Sequence, residues 1–379
     1  MQIPYDDNLK IEYLIRIFDR SRISTCYKYF WFLAILRKIT PNDQTFSYDE
    51  LITEMVADAW YMVAEYRLRL GPSNTTDNLE EAVKYLHDVL FKERVPATEK
   101  REKLIEKLRH LDDRTYLGYK RKLIDNVPYC LQTPFYGTKE NRIKNPSKAT
   151  ITEINQQSRL LYYISQFDSL NTTIGISDEW VSYLCRNREI LSDWARYNLI
   201  GYLQDRNPSV PGIVEKILPP YKRNLTRVSE YWKILISADA SLKDIYGNIP
   251  LGEIVSISID HFVPWQYVAH DELWNLHPTA KDINSQKSNN LPDWKTYFDS
   301  LCKLEYKAHE LSFTKPMIKA AFDKCVEKHV NSSDIYQALY SKQLGQADFC
   351  EKLEKVIRPV YDSAMNCGFR EWVYTGKNQ

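Results

Sequence analysis

The residues whose types and spacing could do chemistry run from Asp260 to Lys287: an Asp260-His261 pair, then Pro264, Asn275, Asn284 and Lys287. A carboxylate such as Asp260 is a hard, charged oxygen ligand for a divalent cation. Asn284 can add a neutral carbonyl oxygen, and two protein ligands suit magnesium, which keeps several waters and takes phosphate oxygens. His261, with an ordinary pKa close to neutrality, can take a proton from an attacking water. Residue by residue this is a workable phosphodiesterase site. Neighbours on a regular strand point to opposite faces, so Asp260 and His261 can flank one phosphate only where the strand ends. Pro264, three residues on, fits such an ending.

The elements that must position these residues are legible in the same stretch. Residues 253–260, EIVSISID, alternate apolar residues with serine and read as a half-buried strand, the clearest in the chain. A second strand is expected at 273–276, containing Asn275, and a short helix at 280–288, carrying Asn284 and Lys287. The order is strand, loop, strand, helix. With these residues in that order, IDHFVPWQYVAHDELWNLHPTAKDINSQKSNNLP resembles the HNH, or ββα-metal, nuclease family. Within it the likeness is to the HNH domain of RNA-guided CRISPR nucleases, which run Asp-His, Asn, Asn and Lys-Ser in a similar order.

The resemblance implies a metal-dependent endonuclease acting on DNA, with RNA the other substrate the residues admit. By the same resemblance Asp260 and Asn284 bind the metal and His261 is the general base. Asn275 orients the loop or His261 through a hydrogen bond, and Lys287 steadies the phosphate. Asn284 stands where many family members carry a third His, which favours magnesium or manganese over softer transition metals. No paired cysteines flank the motif to hold a structural zinc, so flanking helices must support it. His270 and His277 read as loop or packing residues. His277 has a ligand or phosphate contact as its alternative role, since it is expected to share a strand face with Asn275.

Around the motif the patterning is helical, and the expected fold class is mainly α: a large N-terminal helical region, an inserted ββα-metal motif and a C-terminal helical segment. Residues 24–39 carry apolar side chains on every face and read as a helix buried all round. Ser47-x-x-Glu50 is a capping box that opens a helix to about residue 69, and Asp77 opens another to about 92. Helical periodicity continues through 97–111, 113–126, 152–167, 178–185, 190–203, 227–236, 294–311, 315–330 and 346–367. NVPYCLQTPFYG, from Asn126, reads as an extended or looped connector. The expected divisions are 1–150, 151–245, 246–295 and 296–379. IPYDDNL and YKYFWFL near the start are similar to a bacterial group of HNH proteins, which implies restriction or phage defence.

Composition excludes several classes. With 379 residues, 44% hydrophobic and 27% charged, the chain can bury cores and is neither disordered nor fibrous. No run is long and apolar enough to span a membrane, and no leader pattern opens the chain, so a cytoplasmic location is expected. The seven cysteines are scattered and odd in number, and read as reduced, mostly buried thiols. A net charge of +1 gives no global pull on a polyanion. The most basic stretch holds Arg114, Lys120, Arg121, Lys122, Lys139, Arg142, Lys144 and Lys148 against only Asp125 and Glu140. The motif itself is acidic, so the attraction must come from elsewhere in the chain or from a partner. Double-strand cutting by a chain with one motif would call for a homodimer. A second class of function is an interaction subunit whose nuclease site is silent until a partner ATPase or sensor engages it. A third is a toxin-type nuclease held by an immunity protein.

Overall fold

The computed structural model describes residues 2–92, 94–136, 146–157, 160–218 and 224–376. The chain forms two compact units, Met1–Pro208 with Lys216–Pro219, and Ser209–Glu215 with Pro220–Gln379. Both are mainly helical, with small sheets. No helix among the described residues is long and apolar enough to cross a membrane.

In the first unit the aromatic helix Tyr27–Lys38 is buried at every position from Lys28 to Leu36. Ser47 and Glu50 form the reciprocal cap: Glu50 N–H donates to Ser47 Oγ at 3.2 Å and Ser47 N–H to Glu50 Oε2 at 2.8 Å. The helix they open spans Tyr48–Ala64, shorter than its apolar pattern suggests, because the chain turns through a left-handed Arg67 (φ 54°). Asp77 caps the helix Asn78–Lys84 by accepting from Leu79 and Glu80 N–H, each at 3.0 Å.

One expectation fails here. Residues 152–167 are not one helix: Lys148–Asn155 is helical, and Tyr162–Ser165 is a strand. Strands β1 (Thr45–Ser47), β2 (Tyr162–Ser165) and β3 (Thr173–Ile176) make an antiparallel sheet in the order β1-β3-β2. Along β2 the side chains alternate buried and exposed, the period-two signature that a helical reading of its apolar residues overlooks. This sheet joins chain on both sides of residue 150. The connector from Asn126 fits the looped reading and not the extended one. It contains two single-turn helices, Val127–Cys130 and Thr133–Tyr136, each with its proline at the first turn, where the missing N–H costs nothing.

The second unit packs the helices Thr226–Ala238, Trp294–Thr314, Pro316–His329 and Gln346–Asn366 around one core that includes Trp232, Phe262, Leu276, Ile283, Leu301 and Ile357. Cys302 and Cys350, expected as free thiols, are disulfide-bonded across two of these helices, with Cα atoms 5.5 Å apart. Their 48-residue separation leaves no local spacing to reveal the pair. Against this core lies the hairpin of β4 (Ile257–His261) and β5 (Leu276–Ala280), followed by the helix Lys281–Lys287. Next, β6 (Leu291–Pro292) pairs in parallel with β7 (Glu371–Trp372), which brings the C-terminal segment beside the motif.

Candidate metal-dependent active site

The strand that carries the site is shorter than its alternating pattern. Residues 251–253 form a 3-10 turn, and β4 begins only at Ile257, which pairs with Ala280, the last residue of β5 before the helix. Past that pair the ladder closes with Lys281 N–H donating to Ser256 O at 3.0 Å, and Val255 stands fully exposed despite fitting the pattern. At its other end β4 stops at His261, as the Asp-His pair requires.

Cross-strand register decides which side chains meet. Asp260 lies opposite His277 and Ser258 opposite Thr279, and such partners share a face. The helix Lys281–Lys287 lies over that face. Asn284 donates from Nδ2 to Ser258 Oγ at 3.0 Å, and Lys287, one turn on, donates from Nζ to Asp260 Oδ1 at 3.1 Å. Asp260, Asn284 and Lys287 are thus gathered by spacing of two on a strand and three on a helix.

Asp260 is 5% exposed and Lys287 1%. Burial works against the Asp260 charge, but the Lys287 ammonium and the Tyr246 hydroxyl hold the carboxyl below its usual range. Burial also draws the Lys287 ammonium down, against the pull of Asp260. Lys287 donates a second bond, to the His261 carbonyl at 2.8 Å, so it ties the end of the helix to the end of β4. His277, buried completely, has its pKa lowered by burial to about 4 and is therefore neutral. Neither of its ring nitrogens makes a hydrogen bond, and Nε2 lies 3.7 Å from Asp260 Oδ2.

His261, one residue on, leaves the opposite face. Its Nε2 is 2.9 Å from Asp271 Oδ1, which orients the ring. Asp271 is itself anchored, since its carbonyl accepts from His329 Nδ1 at 2.8 Å. Asn331 donates to the neighbouring Glu272 from Nδ2 at 2.6 Å. Asn275 does not lie on the second strand. It ends a 3-10 turn, Leu273–Asn275, before β5 begins, and so shares no strand face with His277. From there its amide brackets one residue of the loop after His261: Oδ1 accepts from Val263 N–H at 2.8 Å and Nδ2 donates to Val263 O at 2.9 Å. That bidentate grip needs an amide, which is why a fully buried Asn stands there.

Three contributors lie outside the residues expected from sequence. Tyr246 donates its hydroxyl to Asp260 Oδ2 at 2.7 Å. Asp244 closes the turn that holds Tyr246, accepting from Tyr246 and Gly247 N–H at 2.7 Å each and from the Thr279 hydroxyl. Asp271 is the partner of His261. An Asp followed by Gly-Asn in DIYGN signals a turn, but no local pattern says where the tyrosine between them points. The His270 ring lies tilted against Trp274, centroids 5.8 Å apart.

The donor set suits a hard cation. Among the described residues no three His, Cys, Asp or Glu side chains gather as a metal cluster. What β4 and its helix offer is one anionic carboxylate and one amide, both oxygen donors of the kind magnesium or manganese accepts. Of the basic stretch, Lys120 is buried against Asp49 at 2.7 Å and Thr53 at 3.0 Å, inside the first unit. Arg114, Arg121, Lys122 and Lys148 are exposed or half-buried, and Lys139, Arg142 and Lys144 lie outside the described residues.

No curated protein and no solved structure matches the chain. Residues 247–293, which hold β4, β5, their helix and every site residue expected from sequence, match the family model described as HNH endonuclease. The chain is therefore an HNH domain-containing protein, with that domain in its C-terminal half.

Proposed function

We propose that the chain is an endonuclease that hydrolyses phosphodiester bonds in DNA, using one magnesium or manganese ion held by Asp260 and Asn284. The observation that carries this reading is the end of β4, where Asp260, Asn284 and Lys287 meet on one face and an oriented His261 emerges from the other. The bound cation would supply charge stabilisation at the phosphate. His261, oriented by Asp271, is the base that takes a proton from water. The water oxygen bonds to phosphorus as the bond to the 3′ oxygen breaks, which leaves 5′-phosphate and 3′-hydroxyl ends. Asn275 holds the loop behind His261. Lys287 steadies the phosphate by exchanging out of its pair with Asp260, and the helical regions grip nucleic acid or a partner. A role in restriction or phage defence rests on the N-terminal resemblance, a homodimer on the need for two cuts, and a cytoplasmic location on the sequence pattern.

The test is supercoiled plasmid incubated with the pure protein and magnesium, with and without chelator, beside an RNA substrate. Nicked or linear DNA that a ligase reseals, and that chelator abolishes, supports the reading. Cutting that survives chelator overturns it. One observation favours the second reading, an interaction subunit activated by a partner ATPase or sensor: Asp260, His261 and Lys287 are each 5% exposed or less. A pure protein that is silent until a co-purifying neighbour is added back would select that reading.

A further inference from the structure

We propose that Tyr246 is a positioning residue that fixes the Asp260 carboxylate for metal binding, and that the C-terminal segment at Trp372 holds Tyr246 in place. The inference rests on the metal-ligand reading of Asp260. A carboxylate on a short stem can rotate, and its affinity for a cation depends on which oxygen it presents. Here Oδ2 is committed to the Tyr246 hydroxyl at 2.7 Å, while Oδ1 takes the Lys287 ammonium at 3.1 Å. The ring of His277 lies beside Oδ2, with Nε2 at 3.7 Å. Oδ1 is therefore the oxygen whose partner can exchange for a cation.

The phenol is held on every side. Its backbone N–H is fixed by Asp244 at 2.7 Å, in a turn closed again by Asp244 N–H to Ile249 O at 2.8 Å. Its ring meets Trp372 edge-on at 5.2 Å, Tyr297 at 5.1 Å and His277 at 5.5 Å. Trp372 belongs to β7, which is pinned beside the motif by Leu291 N–H to Arg370 O at 2.8 Å and Asp293 N–H to Trp372 O at 2.9 Å. A residue far down the chain from the motif thus takes part in its geometry. Hydrogen-bond partners behind metal ligands commonly govern affinity as strongly as this arrangement implies.

The test is manganese binding to the full chain, read from the electron-spin resonance signal of the free ion, with plasmid cleavage across a manganese titration. Tyr246→Phe removes one hydroxyl and keeps the ring. It is expected to weaken manganese binding by about tenfold or more, with cleavage restored at high manganese. Tyr231→Phe removes another buried phenol, one that bonds Ser312 at 2.9 Å in the same unit. It is the comparison for stability alone, and is expected to lower the melting temperature without moving manganese affinity. Should Tyr246→Phe fail to fold, Trp372→Ala carries the test, with a smaller loss of affinity in the same direction. Unchanged affinity in the folded variant, beside a wild type that binds and cuts, overturns this inference alone. A wild type that binds no manganese overturns the metal reading and the inference with it.

Discussion

Two regions carry the expectation of nucleic-acid chemistry: the motif between Asp260 and Lys287 and the basic stretch from Arg114 to Lys148. In the motif, Asp260 and Lys287, 27 positions apart, are joined by a hydrogen bond, Asn284 reaches the same strand at Ser258, and His261 and Asn275 are held by Asp271 and Val263. In the basic stretch, a net charge says nothing of direction, and one of its cations is committed internally to Asp49. Spacing that matches strand and helix periods encodes position. A charge count encodes only composition, and a lysine contributes equally to it whether it faces solvent or a carboxylate.

The largest expected effect separates these regions most sharply. Asp260→Ala removes a proposed metal ligand and leaves Lys287 as a buried ammonium without its carboxylate. It should abolish metal-dependent cleavage and destabilise the second unit by about 3–5 kcal/mol, measured by denaturant titration. Wild-type stability in that variant would mean that the pair is not formed. Asn275→Ala comes next. Losing both bonds to Val263 should cost about 1–3 kcal/mol and slow cleavage through a loosened loop, while manganese affinity holds because Asn275 touches neither Asp260 nor Asn284.

Smaller effects probe the other region. Lys120→Met should lower the stability of the first unit by about 1–3 kcal/mol and leave the salt dependence of DNA binding unaltered, since Lys120 is buried. Replacing Arg121 and Lys122 by Ala should leave stability intact and reduce the salt slope of binding by about 0.9 for each phosphate that is no longer neutralised. An unchanged slope would reduce this surface to a solvated helix face. His309 supplies a pH effect away from the site. Burial lowers its pKa to about 4, so the unfolded chain binds a proton there from about pH 6.5 downward while the folded chain does not. Stability from this group is complete above pH 6.5 and falls by about 1.4 kcal/mol per unit as pH drops toward 4. His309→Gln should flatten that part of a denaturation profile.

How much can be read in advance follows the same division. The Ser47–Glu50 cap, the all-round burial of the Tyr27–Lys38 helix and the end of β4 at His261 are legible, because each is written in adjacent or periodically spaced residues. β2 is hidden because four residues of Tyr-Tyr-Ile-Ser fit either period, and only the distant partner β3 decides between them. Asn275 reads as a strand residue because its neighbours are apolar. Its two bonds to Val263 require a turn there instead. Tyr246, Asp271 and the Cys302–Cys350 bond depend on packing between segments with no shared period, so nothing local announces them.

If the end of β4 is a metal-dependent hydrolytic site with His261 as its base, removing that one imidazole must stop the chemistry and spare the metal. Single-turnover cleavage of plasmid by wild type and His261→Ala, at saturating magnesium, puts this to the test. The expected result is a loss of about 100- to 10,000-fold in the folded variant, with manganese affinity close to wild type. Equal cutting by the two proteins would contradict it.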